Sequence, residues 1–432
     1  MKILLVTYYF PPLNAVASLR TYAFAKYLQC LGNEVTVLTA AKARSPRDLD
    51  FPLAADGFRL VEAGGAQPAS SEGAAKAASL SRQVKLRKLL SERVVGNLIS
   101  SPDSWLSEGL REASRLVASE TFDVVLSSAG PISSHLVAAR VKALAPGTAW
   151  VADYRDLWSG NYCVPQPLFP LNHLQALMER FVNRRADLLV TVSEPLRRIL
   201  AERYGKPAVV VENGFFPEDL APPAGVEVNF PKRLTFASTG SIYPTKRDPL
   251  PFLAALKELI DEGVISRHDV EVRFYGENTY RLEERVRECG IADVVLLLPS
   301  VSRNESLAIQ RASSGLIFLE ADDPFSRGYL TGKLFEYLVA GPPIIAVGIS
   351  HEHEAAKVIS RTNTGFVCGN DVALLKEAIA GIARGERPVA DRGEVECFRR
   401  DRLVEKLARY MGELVAGRGG RGVSDPAGKR AG

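Results

Sequence analysis

Residues 2–39 read KILLVTYYFPPLNAVASLRTYAFAKYLQCLGNEVTVLT. Within Lys2–Thr7 the apolar run is unbroken, which points to a strand buried on both faces of a parallel sheet. A loop follows from Tyr8. A helix then carries Leu19, Tyr22, Ala23, Ala25, Tyr27 and Leu28, with Ser18 as its expected cap. It stops at Gly32, and Glu34–Thr39 returns as a second strand, completing a βαβ unit.

The alternation continues along the chain. Strands are expected at Phe122–Ser127, Ala149–Ala152, Asp187–Val192 and Ala208–Val211, with helices such as Ser134–Leu144 and Glu194–Tyr204 between them. A second series begins near Arg233, with strands at Leu234–Ser238, Val270–Tyr275, Val294–Leu298, Leu316–Glu320, Ile344–Val347 and Thr364–Val367. Two such series predict an α/β protein with two Rossmann-like parallel-sheet domains whose strand ends face each other across a cleft. The expected domains are 1–212 and 213–395, followed by a helix over 396–416 that crosses back to the first domain and a disordered tail over 417–432. Asn213–Pro231, rich in proline and acidic residues, reads as the linker. Ala63–Ala78, rich in Ala, Ser and Gly, reads as a mobile loop.

The chain has 432 residues, of which 46% are hydrophobic and 24% charged, as in ordinary soluble proteins. With 54 Lys and Arg against 50 Asp and Glu, the net charge of +4 excludes a bulk nucleic-acid coat, and no nucleic-acid partner is expected. The five cysteines are scattered and show no zinc spacing. The two imidazoles of His351-Glu352-His353-Glu354 do not share a helix face, so no metal is expected. No apolar run reaches the length of a transmembrane helix, and a cytoplasmic location is expected. Arg82, Lys85, Arg87, Lys88 and Arg93 alternate with apolar residues. That stretch reads as a basic amphipathic helix, either touching an anionic membrane peripherally or presenting a solvated cationic face.

Ligands of open α/β sheets bind at the carboxyl ends of the strands, so the loops after strands are where chemistry is expected. The first such loop, with Asn14, has no glycine fingerprint. The loop Ser127–Pro131 offers Ser128 to a ligand, or is a plain turn. Asp153-Tyr154-Arg155-Asp156-Leu157-Trp158 places two carboxylates, a guanidinium and an indole at a strand end. They orient a polyhydroxylated ligand or accept a proton, unless an Asp–Arg pair simply pins the loop. After the first strand of the second series, Gly240 permits close backbone approach, and Lys246 and Arg247 at a helix start invite an anion, or are two solvated cations on a surface turn. Leu330-Thr331-Gly332-Lys333 runs into a helix N-terminus, a geometry that suits phosphate. Glu336, three residues beyond Lys333, either binds a ribose or makes a surface pair with it.

These segments, taken in order, resemble glycosyltransferase family 4 enzymes of the GT-B type. The matching stretches are the opening strand and helix, ADYRDLW, TVSE, VVVENGF, TGSIYPTKR, RFYGE and GKLFEYLVAGPPIIAVG, and they span about Met1 to Val415. The resemblance implies a retaining transfer from a nucleotide sugar, expected to be UDP-linked and of hexosyl or N-acetylhexosaminyl type. The nucleotide sugar is a co-substrate rather than a cofactor, and no metal is implied. The donor site would comprise Gly240, Ser241, Lys246, Arg247, Gly276, Leu330, Thr331, Gly332, Lys333 and Glu336. Lys246 would neutralise the diphosphate and Glu336 would bind the ribose. Asn213 and Gly214 would form the hinge turn. Asp153, Asp156 and Lys246 are the catalytic candidates, and Asn14, Ser128, Arg155 and Trp158 the acceptor contacts. The sequence departs from the family at Gly328, where a motif glutamate is usual, at Ser241, where an arginine is usual, and at Asn14-Ala15.

The DxRDxW pattern resembles a branch associated with bacterial surface-polysaccharide assembly. It implies a glycan or polyprenyl-linked glycan acceptor and a place on the cytoplasmic face of the inner membrane. Two competing readings share the fold: a nucleotide-sugar 2-epimerase and a non-catalytic nucleotide-binding relative.

Overall fold

The computed structural model describes residues 1–42, 48, 49, 51, 53, 56–67, 105–162, 164–240, 242 and 247–417. The chain divides into two compact units, one of Met1–Glu212 with the residues from Asp401 on, the other of Asn213–Arg400.

The first unit runs β1 (Lys2–Thr7), α1 (Val16–Cys30), β2 (Glu34–Lys42), β3 (Arg59–Gln67), α2 (Leu106–Ser119), β4 (Val124–Ser128), α3 (Ser133–Leu144), β5 (Ala149–Asp153), α4 (Leu171–Asn183), β6 (Leu188–Thr191), α5 (Glu194–Tyr204) and β7 (Ala208–Val210). Its strands form one seven-stranded sheet in the order β3-β2-β1-β4-β5-β6-β7, parallel throughout. Leu4 of β1 sits beside Thr36 on one side and Val125 on the other. Ile3–Thr7, β4 and β5 are buried residue by residue, as helices on both faces of a sheet require.

The second unit runs β8 (Leu234–Thr239), α6 (Leu250–Asp261), β9 (Val270–Tyr275), α7 (Glu283–Glu288), β10 (Val295–Leu298), α8 (Arg303–Ala312), β11 (Gly315–Leu319), α9 (Gly332–Ala340), β12 (Ile344–Val347), α10 (Glu354–Thr362), β13 (Gly365–Gly369), α11 (Val372–Ala383) and α12 (Arg392–Glu396). Its six strands are again all parallel, ordered β10-β9-β8-β11-β12-β13. Phe236, Phe252, Val272, Phe274 and Ile317 anchor its core. The last helix, α13 (Arg400–Gly417), returns the chain to the first unit. The expected two parallel-sheet α/β units are therefore present. In each sheet the strand order reverses at one place, between β1 and β4 and between β8 and β11. Such switch points open a crevice at the carboxyl ends of the strands.

Several local expectations need correction. The stretch Ala63–Ala78 is not a loop throughout, because its first residues complete β3, an edge strand paired to β2. Ala and Gly have little strand preference of their own, but backbone hydrogen bonds to β2 decide the matter. The register shifts between Ala40 and Lys42, and Gly64 takes a φ of 85° there. Ser18 is not a cap. The helix starts at Val16 with Ala15 at the N-cap, and Ser18 is fully buried inside it. Arg247 precedes α6 by three residues rather than opening it. The basic stretch Arg82–Arg93, most of the Ala63–Ala78 segment and the tail beyond Gly417 lie outside the described residues.

One ion pair organises the first unit. Arg20, on α1, is 1% exposed and meets Asp153, at the end of β5, which is wholly buried. Its Nε and Nη2 donate to the two carboxylate oxygens at 2.9 and 2.7 Å. Nη1 and Nη2 also donate to the carbonyls of Glu212 and Val211, at 2.9 Å each. Ser128 Oγ donates to Asp153 Oδ2 at 2.8 Å. One guanidinium thus ties α1, β5 and the chain leaving β7. Removing either partner leaves a buried charge uncompensated. Asp153→Ala or Arg20→Ala should therefore lower stability by about 3–5 kcal/mol. Urea unfolding measures this, and a loss below about 1 kcal/mol would contradict the role assigned to the pair.

Candidate functional site

In the second unit, the loops after β8 and β11 meet at the switch point. Gly240 ends β8 with a φ of 130°, and a Cβ built there would stand 1.9 Å from Lys333 Nζ. The tip of Lys333 therefore lies directly on the Gly240 backbone. Lys333 is the second residue of α9, whose N-cap, Thr331, is extended and makes no side-chain cap. That leaves the amides at the helix start without a side-chain acceptor of their own, an arrangement favourable to an anion. The entry to α9 is fixed by Asn213, whose Nδ2 donates to the Leu330 carbonyl at 3.0 Å.

The charges around Lys333 are paired among themselves. Arg247 Nη2 donates to Glu320 Oε1 at 2.9 Å. Glu320 is the first residue beyond β11. Burial raises its pKa, against the pull of Arg247, Lys333 and His353. Glu336 lies one turn into α9. Its Oε1 is 3.4 Å from Arg303 Nε, and Gln310 Nε2 donates to its Oε2 at 3.3 Å. Arg303 is itself held by Asp219, with Nη2 donating to Oδ2 at 2.6 Å. Among the described residues Lys333 makes no ion pair within 4 Å. Burial first, and then the Arg247 guanidinium, lower its ammonium to about 7, while Glu336 and Glu320 draw it upward. The edge thus carries one cation short of a partner, beside a helix N-terminus and a glycine.

The structure brings together Gly240, Arg247, Lys333 and Glu336 from the expected donor set, with Leu330, Thr331 and Gly332 forming the approach to α9. Gly276 closes β9, its amide donating to the Leu298 carbonyl at 3.2 Å. Ser241 and Lys246 lie outside the described residues. Gly328 is buried, two residues after Ser326 Oγ, which contacts His353 Nε2 at 3.1 Å. His353 Nδ1 is 3.1 Å from Ser350 Oγ, so its ring belongs to a hydrogen-bonded loop junction. No group of three or more His, Cys, Asp or Glu able to hold a metal occurs among the described residues.

In the first unit the loop after β5 differs from expectation at Asp153. Its carboxylate is buried and occupied by Arg20 and Ser128, so it is closed to an acceptor hydroxyl and acts as a positioning group. Asp156 is the accessible carboxylate of the pair, accepting from Arg155 Nε at 3.0 Å with a third of its side chain exposed. Arg155 Nη2 lies 3.2 Å from the Cβ position of Gly130, so the loops after β4 and β5 are in contact. Ser128 serves Asp153, Trp158 is buried, and Asn14 is exposed.

Beneath this loop lies a network that sequence reasoning missed. Glu179 of α4 is fully buried and accepts from the Ser159 amide at 3.1 Å and from Ser159 Oγ. Arg203 Nη1 donates to the Ser159 carbonyl at 2.8 Å. Burial raises the Glu179 pKa, while the Ser159 hydroxyl and Tyr204 pull it down. His135 is a second buried group. Burial pushes it down to about 3, against Asp153, and its Nδ1 lies 2.8 Å from Ser127 Oγ. Trp150 Nε1 donates to that same oxygen at 2.8 Å, which leaves the serine hydrogen for His135. The only advance sign of this cluster was the return of Gln175, Glu179 and Asn183 at helical spacing.

Two all-parallel α/β units in one chain are the make-up of the GT-B fold. Residues 17–214 match the family described as a Glycosyl transferase 4-like domain. No curated protein matches by sequence. Among solved structures, the chain is similar to sucrose-phosphate synthase from Thermosynechococcus elongatus, with TM-score 0.61 and 13% identity over 96% of this chain and 100% of that one. It is also similar to the lipopolysaccharide outer core galactosyltransferase WaaB, with TM-score 0.54 and 12% identity over 97% and 100%. A third is the UDP-GlcNAc 2-epimerase from Methanocaldococcus jannaschii, with TM-score 0.52 and 12% identity over 95% and 99%. At these identities the structural likeness bears on fold alone. The sequence match to the family covers residues 17–214, somewhat less than half of the chain.

Glu179→Ala should release Ser159 and the loop behind it. We expect a loss of about 1–3 kcal/mol in thermal or urea unfolding, with the candidate site around Lys333 unaffected, because it lies in the other unit. A variant as stable as the parent would remove Glu179 from this role.

Proposed function

We propose that the protein transfers a hexosyl or N-acetylhexosaminyl group from a UDP-linked sugar to a glycan or polyprenyl-linked glycan acceptor. Transfer would retain the anomeric configuration and need no metal, as part of bacterial surface-polysaccharide assembly. The observation that carries the reading is Lys333, a desolvated cation on the Gly240 backbone at the start of α9. As the bond from the anomeric carbon to the diphosphate oxygen breaks, the electron pair leaves with the diphosphate. Lys333, Arg247 and the α9 amides meet that charge. The acceptor oxygen bonds to the same face of the anomeric carbon, and its proton passes to the departing phosphate oxygen. Asp156, with Arg155, would orient the acceptor hydroxyl. Glu336, held by Arg303 and Gln310, keeps lone pairs for the two ribose hydroxyls.

The purified protein should release UDP from one member of a nucleotide-sugar panel when membrane extract supplies the acceptor, with no loss in EDTA. Conversion of the donor to its C2 epimer without acceptor would favour the epimerase reading, which the epimerase likeness keeps in view. Glu336→Ala should weaken UDP binding about tenfold, by losing hydrogen bonds to a charged acceptor group. Unchanged affinity would remove the ribose assignment.

A pH signature follows from Lys333. Below about 7 its ammonium is formed; above it the proton is lost. UDP affinity should therefore fall as pH rises from about 6 to about 9, and binding above 7 should take up a proton. Calorimetry in buffers of different ionisation enthalpy reads that uptake, and Lys333→Met should abolish it. Proton uptake persisting in Lys333→Met would show that another group titrates.

A further inference from the structure

Helix α4 is turned the unusual way. Its inward positions are Gln175, Glu179, Val182 and Asn183, all buried. Asn183 accepts from the Tyr154 hydroxyl at 3.0 Å, and Glu179 holds Ser159. The opposite stripe, Leu174, Leu177, Met178 and Phe181, follows the i, i+3, i+4, i+7 spacing that elsewhere marks a core-facing side. Here it is solvent-facing, with Leu177 64% and Phe181 59% exposed. Leu168 and Phe169, just before the helix, extend the same apolar surface, Phe169 at 77% exposure. Apolar patches of this continuity mark interaction surfaces.

Charge identifies the occupant. Arg180, Arg184 and Arg185 are exposed along the patch, and among the described residues none is paired with a carboxylate. The Arg185 guanidinium lies 4.9 Å from the centre of the Phe181 ring. Lys206 joins them at the C-terminal end of α4, donating to the Arg184 carbonyl at 2.9 Å. Between residues 164 and 186 the one acidic residue is Glu179, and it faces inward. An apolar stripe bordered only by cations matches a bilayer, with acyl chains below and anionic headgroups at its rim. A symmetric pairing of two copies would set these cations against each other. Among the described residues no helix is long and apolar enough to cross a membrane, so the contact would lie along the surface.

We propose that the outer face of α4, with Leu168 and Phe169, docks on an anionic phospholipid surface. It is built from residues other than Arg82–Arg93, and it stands without the transferase reading, since its test needs no donor. The full chain is floated with vesicles of phosphatidylcholine alone or in equimolar mixture with phosphatidylglycerol. Binding is expected on the anionic vesicles, weakening with salt. Leu177→Glu with Phe181→Glu should cut partitioning about tenfold or more, with thermal unfolding unchanged, because both side chains already face water. Arg180→Gln with Arg184→Gln and Arg185→Gln should erase the preference for anionic vesicles. In Leu177→Trp, indole emission should shift to the blue on vesicles and be quenched by brominated acyl chains. Three outcomes would overturn the proposal. The first is undiminished binding by the double Glu variant. The second is unshifted indole emission on bound protein. The third is a parent dimer that the double Glu variant converts to monomer without any vesicle binding by the parent.

Discussion

Within each sheet every strand runs parallel to its neighbours, and that constraint places all the candidate chemistry. A parallel strand cannot return through a tight turn, so each one ends at the same edge and hands over to a loop that leads into a helix. Where the order reverses, between β1 and β4 and again between β8 and β11, neighbouring loops diverge and leave room for a ligand. Gly240 and Glu320 flank one such place, and the loop of Asn14 and the Ser128–Pro131 turn flank the other. The helix dipoles then favour negative charge there, most clearly at α9.

The edge around Lys333 shows how charges can be distributed at such a place. Glu320 takes Arg247, Arg303 serves both Asp219 and Glu336, and Lys333 is left over. Burying a lone ammonium is costly, and the cost appears as a proton held loosely near neutrality rather than as a distorted structure. In the first unit the balance is the reverse. Arg20 and Asp153 are both buried and fully used, so their energy goes into holding α1, β5 and the end of β7 in one geometry. The reactive possibilities at that edge pass to Asp156, one turn of loop further on.

Much of this was legible in the sequence because buried parallel strands announce themselves as short apolar runs. KILLVT, VVLSS and IIAV needed no context. The edge strand Arg59–Gln67 was not legible, since Ala-Gly-Gly-Ala carries no strand signal and its pairing with β2 is a matter of backbone geometry. Gly240, Lys333 and Glu336 were found from glycine and helix-start chemistry. Glu320, Arg303 and Arg20 were not, because each earns its place through a partner far away in sequence. Asp153 shows the same limit: its position at a strand end was readable, but its commitment to Arg20, 133 residues earlier, was not. Periodicity also locates an apolar stripe without saying whether it faces in or out, and on α4 the buried polar residues decide.

That inversion has a mechanical consequence. Gln175, Glu179 and Asn183 lock α4 to the body of the first unit, and through Ser159 to the loop bearing Arg155 and Asp156. The helix cannot roll to hide its leucines without tearing these bonds. A plane gripping the outer stripe would therefore stand at a set height below that loop, roughly the 10 Å width of one helix. The spacing between such a plane and the Arg155–Asp156 loop is thus set by the fold rather than by the flexibility of a linker.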